Sequence, residues 1–355
     1  MRFLIAGGGT GGHIFPGIAI AQALKSQNPK SEVLFVGTNR GIEVSAVPKS
    51  GFELKTIEIS GLKGRSFGKT LQALLQLPLA IIQSVQILTQ FKPDAVVGVG
   101  GYASGPVLLA AWLLRIPRAI CEQNSVPGFT NRMLGKYFVK HVWGVFKKSE
   151  MHFPAGRFHL TGNPLRKDFL HRPLAEKSRD KLLVLGGSLG ARPLNEVVPA
   201  ALAQVHQAVP GLKITHQTGV KDVEQVKRAY ADLGIDALVL TFIDDMPKAY
   251  EESDLVIARA GASTCAELTA LGVPAILIPF PQAADDHQTE NARELVDAGA
   301  ALMLTQQEMT ALKLGGMVQH LFLDFKTLES MAHKARQIGK KNAAEIIAKK
   351  VVEIC

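Results

Sequence analysis

The sequence predicts an α/β protein of two Rossmann-like domains with parallel sheets, and three observations carry that expectation. Short apolar runs alternate with helical patterns along the chain: FLIAG, VLFVG, DAVVGVG and RAICEQ, then LLVLGG, KITHQTG, LVLTFI, DLVIARA and PAILIPF. Strand, loop and helix repeated in this way build parallel sheets covered by helices. The strands are rich in Val, Leu and Ile with little alternation, as strands buried on both faces are. The chain also repeats itself. A strand, glycine loop and helix at Phe3 to Leu24 recur at Lys181 to Ala203, and DAVVGVGGYAS from Asp94 matches DLVIARAGAST from Asp254. Ile116-Pro117 and Val273-Pro274 close the two matching segments. Two nucleotide-type domains in tandem explain this better than one long sheet.

Length and composition agree. The 355 residues suit two domains, and 47% hydrophobic with 20% charged residues excludes a disordered chain. A formal charge of +9 suits an anionic partner such as a nucleotide, a nucleic acid or an acidic membrane surface, or serves solubility alone. Cys121, Cys265 and Cys355 are odd in number and scattered. That pattern fits a reducing compartment and argues against a disulfide framework or structural zinc. Arg2-Phe-Leu-Ile-Ala runs straight into a glycine loop, so no signal peptide and no export are expected.

Taken in order, the first strand leads into GGGTGGH, where Gly7, Gly9 and Gly12 spell the dinucleotide fingerprint. Such a site also needs an acid at the end of the second strand to hold ribose hydroxyls. The second strand, EVLFVGTN, carries its only acid at its start, so a nicotinamide or flavin site is disfavoured. Thr10 and His13 fall at the first helical turn, where the helix dipole favours a neutral imidazole able to take a proton. His13 is a candidate base, or a residue that only caps or packs. Residues 70–91 form an uncharged run of 22 broken by Pro78 and five glutamines. This helix either packs on the sheet or lies at a membrane surface, with Lys63, Arg65, Lys69 and Lys92 beside it. A membrane span is disfavoured.

Gly100-Gly101-Tyr102-Ala-Ser104 is a second glycine turn at a strand end, where open sheets bind ligands. Near Thr161-Gly-Asn-Pro-Leu-Arg166 the punctuation marks a domain boundary. GGSLGAR at 186–192 offers backbone N–H groups and the Ser188 hydroxyl to a diphosphate at a helix start, with Arg166 as compensating charge. RAGASTCAE at 259–267 leads into a helix whose Glu267 is placed to accept from a sugar diol. Metal motifs such as DxD or HExxH are absent, so no metal site is expected. The closing basic stretch from Thr327 to Cys355 reads as a solvated terminal helix, or as one docking back on the first domain.

GGTGGH, GGYASGP, EQNSVPG, GNPLR, GGSLGAR, FIDDM, ASTCAEL and PFPQAADDHQTENA occur in that order over nearly the whole chain. Together they resemble the bacterial lipid II-forming N-acetylglucosaminyltransferases, the MurG family. The resemblance implies a GT-B fold, two Rossmann-like domains facing across a cleft. It implies inverting transfer of GlcNAc from UDP-GlcNAc to the 4-hydroxyl of MurNAc in lipid I, in peptidoglycan synthesis. Residues 1–162 with about 340–355 would form the acceptor and membrane-associating domain, and 163–339 the UDP-GlcNAc domain. UDP-GlcNAc contacts would fall on Thr10, Gly11, Gly12, Asn124, Arg166, Ser188, Ile243, Ala262, Ser263, Thr264, Cys265, Ala266, Glu267 and Gln288. Among these, Glu267 would hold the ribose hydroxyls, Ser188 the diphosphate and Gln288 the donor sugar. His287 precedes Gln288 where some relatives carry a second glutamine.

A membrane-facing patch would lie around Leu75 to Val85 and near Trp112, placing the protein peripherally at the cytoplasmic face of the inner membrane. Partners would be UDP-GlcNAc, lipid I, the anionic membrane surface and cell-wall or division machinery, with no nucleic acid. No tightly bound cofactor is implied. The mechanism this suggests is direct displacement. His13 acts as base or positions the acceptor, Gly8, Gly9, Gly100, Gly101, Tyr102 and Ser104 hold the acceptor diphosphate, and cleft closure joins the halves. Rival readings are a UDP-GlcNAc 2-epimerase on the same fold, a non-catalytic nucleotide-sugar binder, and an NAD(P) oxidoreductase.

Overall fold

The computed structural model describes residues 1–59, 67–170, 178–187 and 189–355, with the side chains of 67–75 outside that set. The chain divides into two compact units, Met1–Leu170 with Lys340–Cys355, and His171–Gly339. Thr161 to Leu170 stay with the first unit, so the division falls a few residues beyond the Pro/Gly punctuation.

Along the first unit run β1 (Arg2–Gly7), α1 (Gly11–Gln27), β2 (Glu32–Gly37), α2 (Glu43–Lys49), β3 (Glu53–Thr56), α3 (Phe67–Phe91), β4 (Ala95–Gly100), α4 (Ser104–Leu113), β5 (Arg118–Glu122), α5 (Phe129–Tyr137), β6 (His141–Gly144) and β7 (Phe158–Leu160). The second unit holds β8 (Lys181–Leu185), α6 (Arg192–Ala208), β9 (Lys213–Gln217), α7 (Val223–Asp232), β10 (Ala237–Leu240), α8 (Met246–Glu252), β11 (Leu255–Ala258), α9 (Ala262–Leu271), β12 (Ala275–Leu277), α10 (His287–Asp297), β13 (Ala301–Met303), α11 (Ala311–Leu323) and α12 (Phe325–Ile338). α13 (Ala343–Glu353) returns to the first unit.

Both sheets are parallel, ordered β3-β2-β1-β4-β5-β6-β7 and β10-β9-β8-β11-β12-β13. Their central strands are buried on both faces: Phe3, Ile5 and Val97 join one core layer with α1 and α13, while Leu4, Ala6 and Val96 join another with α3 and α4. The order reverses between β1 and β4 in one sheet and between β8 and β11 in the other, which are the crevices where open α/β sheets bind ligands. The internal repeat is reproduced in hydrogen bonds. Asp94 Oδ2 accepts from the Arg2 N–H at 2.7 Å, and Asp254 Oδ2 accepts from the Lys181 N–H at 2.9 Å. The Val96 N–H donates to the Pro117 carbonyl at 2.9 Å and the Val256 N–H to the Pro274 carbonyl at 3.0 Å.

One sequence expectation needs correction. The closing basic stretch is two helices, broken at Gly339, which lies against the Thr269 carbonyl where a Cβ would not fit. Of the two readings of its last helix, docking back on the first unit is the one found. α13 packs on α1 and buries Ala344, Ile347, Ala348 and Val351, with Ile347 and Val351 each contributing about 1.5–3 kcal/mol of transfer energy and the alanines less. Pro78 lies inside α3, which continues through it. Of the described side chains on α3, Ala80, Ser84 and Leu88 are buried, while Leu79 and Ile82 are exposed. No helix among the described residues is long and apolar enough to cross a membrane.

Candidate active site

In the first unit the site forms at the carboxyl ends of β1, β4 and β5. Thr10 is the N-cap of α1, yet its hydroxyl makes no capping bond. Instead Thr10 Oγ1 meets His13 Nδ1 at 3.1 Å. With no capping side chain, the first turn of α1 presents backbone N–H groups of the kind that receive anions. The two glycine loops are brought together, because the Gly8 N–H donates to the Gly100 carbonyl at 3.3 Å. Gly100 has φ +95, and a Cβ there would lie 2.9 Å from His13 Nε2, so the imidazole rests on this glycine.

Ser104 is fully buried; its hydroxyl donates to the Ala6 carbonyl at 2.7 Å and accepts from the Gly100 N–H at 3.0 Å. It fixes the loop from behind. Tyr102 is 53% exposed, and Gly9 and Thr10 are also exposed. Asn124, just past β5, is half-buried, and its N–H donates to Glu122 Oε1 at 2.9 Å. Arg166 stacks over Phe15 of α1 at 5.0 Å and over Phe169 at 5.6 Å, which puts it on the first unit.

Two carboxylates here escaped sequence reasoning. Glu43 begins α2, is fully buried, and its side chain reaches back into the glycine loop. Its oxygens accept from the Gly9 N–H at 2.7 Å, the Thr38 N–H at 3.0 Å and the Thr38 hydroxyl at 2.7 Å. Burial pushes its pKa up, but these hydrogen bonds outweigh it and hold the group below the usual carboxylate range. Glu122 ends β5, is 2% exposed, and accepts from Asn131 Nδ2 at 2.8 Å. Burial pushes its pKa up to about 7 against the hydrogen bonds from Asn124 and Asn131. An acid closing an apolar strand, RAICE, was the one available signal for it. Glu43 left none, lying six residues past the strand whose acid was sought.

In the second unit the corresponding edge gathers the loops after β8, β10, β11 and β12. Gly187 and Gly190 adopt φ of +82 and +79 in the turn before α6, while Ser188 lies outside the described residues. Arg192 pairs with Glu196 at 2.7 Å. Ile243 is buried in the loop between β10 and α8. α9 starts after Gly261 with no side-chain cap. On it Ala262 and Cys265 are buried, Thr264 and Ala266 are half-buried, and the Ser263 hydroxyl oxygen is buried with no partner. Glu267 Oε2 accepts from the Tyr250 hydroxyl at 3.1 Å, so its carboxylate is fixed from one side. Burial, with Glu267 next to it, drives the Tyr250 hydroxyl well above its ordinary pKa. Gln288 Oε1 accepts from the Phe280 N–H at 3.0 Å. Before it, Asp285 and Asp286 both hold left-handed backbone, φ +55 and +52, a strained pair of the kind found at functional loops. Among the described residues no group of three or more His, Cys, Asp or Glu is arranged to hold a metal.

Two Rossmann-like units, each with glycine turns and an uncapped helix start at its switch point, are a GT-B architecture, which by itself fits a glycosyltransferase or another enzyme of nucleotide sugars. Residues 3–142 match the N-terminal domain of glycosyltransferase family 28 and residues 181–350 its C-terminal domain. The UDP-N-acetylglucosamine--N-acetylmuramyl-(pentapeptide) pyrophosphoryl-undecaprenol N-acetylglucosamine transferase of Myxococcus xanthus is 50% identical over 100% of this chain and 93% of its own. A crystal structure of MurG from Acinetobacter baumannii is 38% identical over 99% of both chains, with a TM-score of 0.82. A UDP-GlcNAc 2-epimerase from Neisseria meningitidis shares the fold, with a TM-score of 0.71, at 16% identity over 99% of this chain and 100% of its own. The chain belongs to glycosyltransferase family 28, among these N-acetylglucosamine transferases.

Proposed function

We propose that the protein transfers GlcNAc from UDP-GlcNAc to the 4-hydroxyl of MurNAc in undecaprenyl-pyrophosphoryl-MurNAc-pentapeptide, with inversion, giving lipid II for peptidoglycan. The observation that carries the reading is the joined pair of glycine loops with His13 resting on Gly100 at the first switch point. The acceptor diphosphate lies against the loops of Gly8, Gly9, Gly100, Gly101 and Tyr102, with Ser104 bracing the turn. The Gly8, Gly9 and Gly100 N–H groups are already given to the Gly100 carbonyl, Glu43 and Ser104, so these glycines admit it by close backbone approach rather than by donating. His13 takes the proton of the attacking hydroxyl on Nε2, which requires Nδ1–H to donate to Thr10 Oγ1. The new C1–O bond forms as the C1–phosphate oxygen bond breaks, and the electron pair leaves with UDP.

UDP-GlcNAc is taken by Thr10, Gly11, Gly12, Asn124 and Arg166 of the first unit and by Ser188, Ile243, Ala262 to Glu267 and Gln288 of the second. The unpartnered Ser263 hydroxyl and the uncapped start of α9 support the donor side of this set. Glu267 accepts the ribose hydroxyls, Gln288 orients the sugar through its remaining amide hydrogens, and the leaving charge rests on the 186–192 loop and Arg166. On this reading the protein sits peripherally at the cytoplasmic face of the inner membrane; the exposed apolar residues Leu79, Ile82 and Trp112 support attachment to a membrane surface.

The test is incubation with labelled UDP-GlcNAc, with and without a lipid I analogue. Acceptor-dependent transfer is expected. UDP release from donor alone would point to epimerase chemistry, and binding without turnover to a non-catalytic binder; either overturns the reading. His13→Ala should lower kcat by about a hundred- to ten-thousand-fold with the fold intact, as loss of a general base does. A near-normal kcat removes His13 as base.

A further inference from the structure

The second unit holds a half-buried cation that the proposed transfer does not use. Arg259 directly follows β11, and its guanidinium spreads over the ends of the next two strands. Nη1 donates to the Ile278 and Pro279 carbonyls just past β12, both at 3.1 Å. Nη2 donates to Gln306 Oε1 just past β13, at 2.6 Å. The same group lies 5.6 Å from the centre of the Phe280 ring. The oxygens it meets are neutral, and burial pulls its pKa down to about 10, so it stays charged at neutral pH. Burial of a charge against neutral oxygens opposes folding, so what the planar fork contributes here is geometry.

One of those carbonyls acts as a lever. The Pro279 carbonyl and the Phe280 N–H belong to a single trans peptide, so they point in opposite directions from one plane. Arg259 holds the oxygen, and the N–H donates to Gln288 Oε1 at 3.0 Å. Gln288 lies in the first turn of α10, and with Oε1 engaged its amide has the two Nε2 hydrogens left for a ligand. Ile278 is fixed in the same place from both sides: its N–H donates to the Ala258 carbonyl at 2.8 Å, and its carbonyl accepts from Arg259. One helical turn beyond Gln288, Asn291 is fully buried, and its Nδ2 donates to the Ala260 carbonyl at 3.2 Å. The turn that launches α9, with Ser263 and Glu267, is thus tied to α10 twice, once through Arg259 and once through Asn291.

We infer that Arg259 is a positioning residue for the donor sugar: by holding the Pro279–Phe280 peptide it sets the orientation of the Gln288 amide. This rests on the reading of Gln288 as the contact to the sugar. The nucleotide contacts on α9 keep their separate tie through Asn291, so Arg259 governs the sugar end of the donor and not the uridine end. Lysine cannot replace it, because an ammonium lacks the planar fork that meets the Ile278, Pro279 and Gln306 oxygens together.

The full-length protein is titrated with UDP and with UDP-GlcNAc by calorimetry, as wild type, Arg259→Lys, Gln288→Ala and the double variant. Arg259→Lys should weaken UDP-GlcNAc about tenfold and leave UDP within about twofold, and Gln288→Ala should do the same. The double variant should bind UDP-GlcNAc no more weakly than Gln288→Ala alone, since one residue acts through the other. Losses that add in the double variant, or a folded Arg259→Lys that loses UDP as much as UDP-GlcNAc, overturn the inference. Unchanged UDP-GlcNAc affinity in Arg259→Lys beside a loss in Gln288→Ala overturns it while leaving the Gln288 contact in place. Unchanged affinity in Gln288→Ala removes that contact and the inference with it. Where Arg259→Lys fails to fold, Gln306→Ala decides, because it frees one arm of the fork. A loss of about threefold for UDP-GlcNAc and none for UDP supports the positioning role, and equal affinities for both ligands overturn it.

Discussion

At the scale of single residues, the two buried carboxylates of the first unit act in opposite senses. Glu43 answers the Gly9 N–H and both polar groups of Thr38, so it ties the glycine loop to the end of β2. Glu43→Gln keeps the shape but replaces one acceptor oxygen with a donor, facing N–H groups that need an acceptor. A loss of about 1–3 kcal/mol at pH 7 is expected in urea unfolding. The depressed pKa of Glu43 gives stability that is present above its unfolded value and lost as pH falls through the folded one. Wild type should therefore lose more stability than Glu43→Gln on acidification below about pH 4.5; parallel curves would deny the carboxylate that role. Glu122 runs the other way. With its pKa near 7 in the fold, it keeps a proton that the unfolded chain releases above about pH 4.5. Stability should fall as pH rises between those limits, and Glu122→Gln should flatten that fall by about 1–3 kcal/mol, read from urea midpoints at pH 5 and 7.5. Equal pH slopes in the two proteins would rule it out.

At the scale of elements, the start of α9 offers a test that separates binding from folding. The Ser263 hydroxyl is buried without a partner, so Ser263→Ala removes an unmet polar group and should leave the ligand-free protein as stable or slightly more so. UDP-GlcNAc affinity should meanwhile drop about threefold to tenfold by calorimetry, the loss of one hydrogen bond. Unchanged affinity would take Ser263 out of the donor set. The sequence disclosed the elements whose physics is local: the apolar runs became β1, β2, β4, β5 and β8 to β12, and the repeat from Asp94 and Asp254 holds down to the same backbone contacts. It hid β3, β6, β7 and β13: ELKT, HVWG and FHL are broken by charged or histidine side chains and so present no apolar run, and ALM sits at the sheet edge beside β12. It showed the glycine loops, whose composition announces their backbone. It could not show Glu43 in the loop or the Ser104 hydroxyl behind it, since both contacts depend on chain segments that meet only after folding.

At the scale of the whole molecule, each unit carries its own core and its own switch point, and the proposed donor set draws on both. Thr10, Gly11, Gly12, Asn124 and Arg166 belong to the first unit, while Ile243, Ala262 to Glu267 and Gln288 belong to the second. Hydrogen exchange resolves that division without any variant, because amides near a bound ligand exchange only after it leaves or the segment opens. At a ligand concentration of 100 times Kd, binding stabilises the bound state by about 2.7 kcal/mol, a slowing of about a hundredfold at sites that open only in the free protein. UDP alone should protect the 259–268 segment and the turn before α6. UDP-GlcNAc should add 280–288, where Gln288 follows the strained Asp285 and Asp286 pair, and Gly8 to His13 in the first unit. Protection confined to the second unit would remove Thr10 to Gly12, Asn124 and Arg166 from the donor set. It would leave the first glycine loop wholly to the acceptor, and a soluble lipid I analogue should then protect Gly8 to His13 and Gly100 to Ser104 when added alone.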